Sequence, residues 1–461
     1  MLEHAIASAV EPLEAAVVLE SAGVNDRVAR DTFIVPDVLA LAQGAMAHAG
    51  PDRPVSEPIP ARAEPVDLGG PRATFSFHLR GVLYAVPALV TLTLLPAVDP
   101  VQSALVLGGL VLSWAWCYGV ASIAWAHLGN RDPAGARRFL RRALVGGALL
   151  AGVVATLAVF AALMVTSTMQ VTPVTVLLLV GQATYLLAAA TLLMTGRELL
   201  LLTALAPALV ALVLALAGHP PARVLDWIGG TVVLAVVLAL VATRGAARPR
   251  QRLGAAAWVT AFQQLCFGLL VALVVLFPAV NELVNQNYDA LPLSVTLAAL
   301  PLVLSMGVAE TLLRRFRVRI AALLATTSSS AAFARSARRA VLRHHLAFTL
   351  PLVMMSAVLD LAVTAVTGPV DARYGLLAIG YVVLGIAIFA AMLLSFMGRT
   401  PRVLSTLAGA VVALAAFEVR AAAEPVSDTE ALAWLATVAA VTLVAHLVLV
   451  RRYVAVPVSH R

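Results

Sequence analysis

The chain contains no lysine, and all 32 of its basic residues are arginine. It has only two cysteines, Cys117 and Cys266, and only 12% of its residues are charged. Each shortage excludes something. Two cysteines, each inside an apolar run, give neither a disulfide framework nor metal-ligand spacing. The nine histidines are scattered, with His344-His345 the one adjacent pair, so no metal and no cofactor is expected. Soluble domains carry about 25% charged residues, and this chain carries 12%. HExxH, GxSxG and Walker A patterns are all missing, so no catalytic residues are assigned and the chain is read as a non-enzyme. Residues 1–50 contain acids and no apolar core, so no cleavable signal peptide is expected.

What is present is apolar. Hydrophobic residues make up 61% of the sequence, and mean hydropathy is +0.95. Long runs approach the ~20 residues a helix needs to cross a bilayer. Their continuity excludes a transmembrane barrel, whose strands are short and alternate. The expected fold class is therefore an all-α, multi-pass integral membrane protein. Arginine without lysine, together with abundant Ala, Val and Leu, is the codon usage of a GC-rich genome such as an actinobacterial one. A net charge of +8 can signal nucleic-acid binding. Membrane orientation accounts for it better, and no nucleic-acid partner is expected.

Residues 2–50 have apolar positions at helical spacing, with Gly23 a C-cap and Asn25 and Pro36 helix starts. They read as a small cytosolic helical appendage (1–50). Pro51, Pro54, Pro58, Pro60, Pro65 and Pro71 then make 51–78 an extended linker. Twelve spans follow, near 81–98, 102–127, 143–165, 173–195, 198–217, 228–243, 255–277, 292–313, 346–366, 374–397, 403–421 and 429–450. The sixth reads as short, tilted or broken. Loops on one side of these spans, with the tail 451–461, hold 23 arginines, and the other side holds Arg223, Arg373 and Arg420. By the positive-inside rule the basic side is cytoplasmic, and both termini lie there.

The stretch "LGNRDPAGARRFLRRAL" between the second and third spans carries a pattern. Gly129-Asn130-Arg131-Asp132 is followed after a short gap by Arg137-Arg138. This resembles the multidrug/oligosaccharidyl-lipid/polysaccharide (MOP) exporter superfamily, in its polysaccharide flippase-like branch. The resemblance implies two six-helix halves, here 79–243 and 255–450, joined by the cytoplasmic linker 244–254. A second basic loop is then expected between the eighth and ninth spans. "ARR" at 337–339 repeats "ARR" at 136–138 in that place. The lipid II flippases of the superfamily carry arginines inside the cavity, and none is found at mid-membrane here.

Several residues are candidates for a site. Trp114, Trp116 and Tyr118 of the second span, Gln182 of the fourth, and Gln263 and Gln264 of the seventh suit sugar rings and hydroxyls. Interhelical hydrogen bonding or packing is the plainer role for each. Asp360 and Glu310 are ionisable groups inside spans, where charge is expensive. Asp360 is read either as an ion-coupling residue or as a carboxylate hydrogen-bonded near the outer interface. Glu310 is read either as a coupling residue or as an i,i+4 pair with Arg314. Arg80, Arg137, Arg138, Arg197, Arg338 and Arg339 are candidates for meeting an anionic substrate at the inner mouth. Their simpler role is to anchor orientation against anionic headgroups.

Together these features lead to an expectation of a flippase or exporter in the bacterial plasma membrane. It would move a lipid-linked oligosaccharide or polysaccharide precursor by alternating access, without ATP hydrolysis in this chain. Its expected partners are membrane lipids, the lipid-linked saccharide and a cytosolic glycosyltransferase docked on residues 1–50. The alternatives are an ion-coupled drug or small-molecule antiporter, and a non-transporting subunit of an exopolysaccharide assembly complex.

Overall fold

The computed structural model describes residues 11–21, 24, 26–48, 79–87, 100–165, 177–219, 223–245, 253–284, 291–326, 330–368, 372–424 and 426–455. Among these, every element is helical. Two units divide at residue 67. In the first, α1 (Pro12–Ser21), α2 (Asp26–Phe33) and α3 (Val38–His48) enclose a small core of Ala15, Ala16, Leu19, Ala29, Val38 and Ala42. Asp26 starts α2 and its Oδ1 accepts from Val38 N at 3.0 Å, which ties α2 to the start of α3. The helix starts fall within two residues of those read from Asn25 and Pro36. Gly23 and the proline-rich linker lie outside the described residues.

The second unit is a bundle. Its helices are α4 (79–87), α5 (Pro100–Gly129), α6 (Pro133–Val165), α7 (Gln182–Met194), α8 (Glu198–Leu216), α9 (Val224–Ala242), α10 (Ala255–Val275), α11 (Phe277–Val284), α12 (Leu291–Thr326), α13 (Ser330–Thr367), α14 (Ala372–Phe396), α15 (Thr400–Ala423) and α16 (Asp428–Tyr453). A π-helical turn, Leu177–Gly181, leads into α7. Eleven described helices are long and apolar enough to span a membrane. The chain is an all-α multi-pass membrane protein. The first expected span, 81–98, is described only as far as residue 87.

Three expectations are corrected in detail. The sixth span is not short, because α9 begins at Val224 and runs 19 residues. The basic stretch after the second span is hardly a loop. Asn130 and Arg131 make the turn, Arg131 with φ +54°, and Arg137 to Arg142 lie in the first turns of α6. The basic segment between the eighth and ninth spans is also helical. α12 and α13 run 36 and 38 residues, about 55 Å each at 1.5 Å per residue, and carry all eight of its arginines. The reason is composition. Between Arg314 and Leu350 there is no glycine or proline, and Ala, Arg and Leu are strong helix formers. Apolarity ends where the membrane ends, but helix propensity does not.

Buried apolar residues fall into two main clusters. One lies wholly within residues 83–239, and the other runs from Phe267 to Val454. α14 is the most enclosed of the eleven spanning helices. It packs on α16, where the fully buried His446 holds Ala387 and Thr406 together. Its Nδ1 lies 3.0 Å from the Ala387 carbonyl and its Nε2 2.6 Å from Thr406 Oγ1. In α8, Pro207 interrupts the helix, and Thr231 Oγ1 of α9 accepts from Ala208 N at 3.1 Å. Apolar lipid cannot satisfy a released backbone group, so a neighbouring helix does it.

The two cores touch along a seam of close helix crossings. α10 of the second core packs extensively on α5. Leu107, Trp114 and Tyr118 of α5 pack against the second core, whereas Trp116 and Cys117 pack against the first. Glycines set the approach. A Cβ on Gly268 would lie 2.8 Å from Tyr118 Cδ2. A Cβ on Gly81 of α4 would lie 2.3 Å from the Leu304 carbonyl oxygen of α12. Lipid is as apolar as a leucine side chain, so close packing of small residues is what holds such helices together.

Replacing Gly81 by alanine should therefore force α4 and α12 apart and destabilise the chain by about 1–3 kcal/mol. Gly146→Ala is the control, since a Cβ there has nothing within 4 Å. It should be neutral or stabilising, because alanine is the better helix former. Denaturant unfolding in detergent checks both, and equal effects of the two variants would refute the close-crossing argument.

Candidate functional site

The arginine-rich end of the seam is where its charged groups converge. Arg80 lies at the start of α4. Its Nη2 donates to Glu198 Oε1 at 2.6 Å and its Nε donates to the same oxygen at 3.1 Å. Its Nη1 donates to Glu310 Oε2 at 2.9 Å, and Nη2 also donates to the Leu193 carbonyl at 3.3 Å. Local sequence places each partner. Gly196, at φ +69°, ends α7 in the left-handed region, so the chain turns at once into α8. Glu198 is then the first residue of α8, where the helix dipole favours an acid. Leu193 is in the last turn of α7, and its carbonyl also accepts from Gly196 N at 3.1 Å. Glu310 lies on α12, two turns past Leu304, which crosses Gly81.

The triad joins the cores. Arg80 and Glu198 belong to the first, and α12, which carries Glu310, contributes to the second. The Arg80 and Glu198 side chains are 14% and 12% exposed, and Glu310 is 34% exposed, so the cross-seam partner is the more exposed one. Tyr84, one turn along α4 from Arg80, and Tyr118 and Cys117 of α5 lie close by. The other described ion pairs, Arg223–Asp226, Arg373–Asp428, Arg420–Glu424 and His127–Asp132, are local or lie within one core.

The expected site residues distribute as follows. Glu310 meets Arg80 across the bundle, where spacing along its own helix had suggested Arg314. Arg80 already holds two carboxylates, so it can receive another anion only if the triad opens. Tyr118 lies in the seam, edge-on to Phe267 at 5.5 Å between ring centroids. Trp114 packs toward the second core, and Trp116 toward the first, beside Gly147 of α6. These two tryptophans thus point to different cores. Gln263 and Gln264 are half-buried on α10, the helix that packs on α5. Gln182 is half-buried where the π turn becomes α7. Asp360 lies near Tyr374 of α14, whose buried hydroxyl makes no hydrogen bond. Arg137, Arg197, Arg338 and Arg339 are exposed, and Arg138 is half-buried.

Two parts of this geometry were not read from sequence. Glu198 had no helical-spacing partner to suggest its role. Glu418 of α15 has both carboxylate oxygens buried and without a hydrogen-bond partner. It lies inside the expected eleventh span, and the cost of a carboxylate there is the signal that points to it. Asp132 also has an explanation the sequence did not supply. It is 2% exposed, accepts from Gly135 N at 3.0 Å as the cap of α6, and lies 3.4 Å from His127 Nδ1. A Cβ on Gly135 would lie 2.2 Å from Asp132 Oδ2, so the turn needs glycine there.

An apolar groove of about 350 Å³ lies between α12 and α13, lined by Leu300, Pro301, Leu304, Met354, Met355, Val358 and Leu359. It shares Leu304 with the seam. Among the described residues no group of three or more His, Cys, Asp or Glu is placed to hold a metal ion. No family model, curated protein or solved structure matches the chain.

Removing Arg80 leaves two carboxylates facing each other. Arg80→Gln should destabilise the chain by about 2–4 kcal/mol, the range for orphaning a buried charge reduced for the exposure of Glu310. Neutralising all three groups (R80Q/E198Q/E310Q) should recover at least half of that loss in detergent unfolding. A triple variant as unstable as R80Q alone would show that packing, and not charge, is the cause.

Proposed function

We infer that the chain is a membrane exporter of the flippase type, moving a lipid-linked oligosaccharide or polysaccharide precursor by alternating access. The observation that carries this reading is the seam. Two separately packed helical cores meet through glycine crossings, and an ion triad clasps one end of it. Such a joint can rock, because each core keeps its own packing when the seam opens. With the basic end cytoplasmic, the Arg80 triad closes the inner mouth. The apolar groove beside Leu304 offers a place for a prenyl tail, while Gln263, Gln264 and Tyr118 are available to sugar hydroxyls once the cores part. The resemblance of the 127–144 stretch to the MOP exporters supports the same reading.

The ion-coupled antiporter has one observation in its favour, the unpartnered carboxylate of Glu418. A membrane-embedded carboxylate with no counter-charge is a natural place for a proton or cation.

Reconstitution of the full chain in vesicles separates the readings. A fluorescent polyprenyl-linked saccharide should become accessible to an impermeant quencher on the far leaflet faster than in empty vesicles. Dye efflux driven by an ion gradient and lost in Glu418→Gln, with no lipid-linked saccharide movement, would replace the flippase by the antiporter. Neither activity, with loss of a polysaccharide phenotype on deleting residues 1–72, would leave an assembly subunit. The clasp has its own readout in Cys117. Arg80→Gln should raise its alkylation by an impermeant maleimide several-fold over wild type. Unchanged labelling would remove the triad as a gate.

A further inference from the structure

Arg138, Arg141, Arg142 and Val145 line a shallow, open recess on α6. Their spacing of i, i+3, i+4 and i+7 places them on one helix face. Beyond Val145 the same helix carries an exposed apolar stripe. Val145 is 47% exposed, Leu149 68%, Val153 56% and Leu157 63%. In a membrane-spanning helix such a stripe faces lipid, so the arginines stand where that stripe reaches the headgroup region. α6 has no acidic residue. Guanidinium groups bind phosphate oxygens in pairs of parallel hydrogen bonds, which an ammonium cannot do.

We propose that this recess is a binding site for the phosphoryl headgroup of an anionic membrane lipid, with the acyl chains lying along Val145, Leu149, Val153 and Leu157. The stripe decides between the two sources of phosphate. A free ion would use the arginines alone, whereas a lipid uses the arginines and the stripe together. The site faces the surrounding bilayer, and it stands whether or not the chain moves a cargo.

Native mass spectrometry of the full chain in detergent tests it, with phosphatidylglycerol and phosphatidylcholine as probes. Phosphatidylglycerol should bind at least about tenfold tighter, as expected for a few arginines each contributing near the surface. Excess inorganic phosphate should not displace it. The R138Q/R141Q/R142Q variant should lose the preference, while the charge-matched R244Q/R315Q/R451Q variant, altered at three other arginines of the basic end, should keep it. Equal loss in both variants would reduce the effect to overall charge and overturn the site. So would an unchanged preference in the first variant, or displacement by phosphate at comparable concentration. If the triple variant does not fold, the exposed single changes R141Q and R142Q carry the test. Each should weaken phosphatidylglycerol binding about fivefold, and no change in either would overturn the proposal.

Discussion

One guanidinium facing two carboxylates is the constraint on which the arrangement of the bundle depends. Arg80 cannot be buried alone, because an unpaired charge at that depth costs several kcal/mol. Glu198 and Glu310 share the same difficulty. The three solve it together, and in doing so they bring the end of α7, the start of α8 and the middle of α12 to one point. Everything near that point is arranged to permit it. Gly196 turns the chain so that Glu198 heads α8, and Gly81 lets α4 approach the α12 backbone. The electrostatic contact and the steric one are thus parts of a single requirement.

The same economy of small residues recurs away from the charges. Bilayer hydrocarbon offers helices no hydrophobic reward for associating, so contact depends on shape. Gly268 receives the Tyr118 ring, and Gly385 receives Leu352 and Leu302. Some polar groups that remain inside are closed into short bridges, as at His446 with Ala387 and Thr406, while the Glu418 carboxylate is not. Bulky residues with no such recess to enter lie on the outside, as the exposed Leu149, Leu157 and Leu346 do.

Much of this was legible from sequence, and the limits have physical causes. The spans follow from apolar runs because hydrocarbon admits little else. The charge asymmetry of the loops follows from counting arginines. What could not be read is contact over distance. Glu198 and Glu310 lie 118 and 230 positions from Arg80, and no local pattern links them. The i,i+4 rule offered Arg314 to Glu310 because a sequence displays only neighbours along a helix. The length of α12 and α13 was missed for a different reason. Hydropathy reports where the membrane stops, and the helices continue into water on propensity alone. For Asp132, a family-like motif was visible, but its physical basis, a capped and sterically locked turn, needed the position of His127.

The asymmetry of the Arg80 triad bears on how its two sides can separate. Glu198 takes two of the guanidinium contacts and is nearly as enclosed as Arg80, whereas Glu310 takes one and is more exposed. The bond within the first core is therefore the stronger, and the bond across the seam the weaker and more exposed. If the cores part, the Arg80–Glu198 pair stays together as one neutral unit, and only Glu310 loses its partner. The full cost of stranding a buried cation is never incurred. A symmetric clasp, with Arg80 shared equally between both cores, would leave half of its interactions broken in either state. The uneven arrangement makes the contact across the seam the easier one to break.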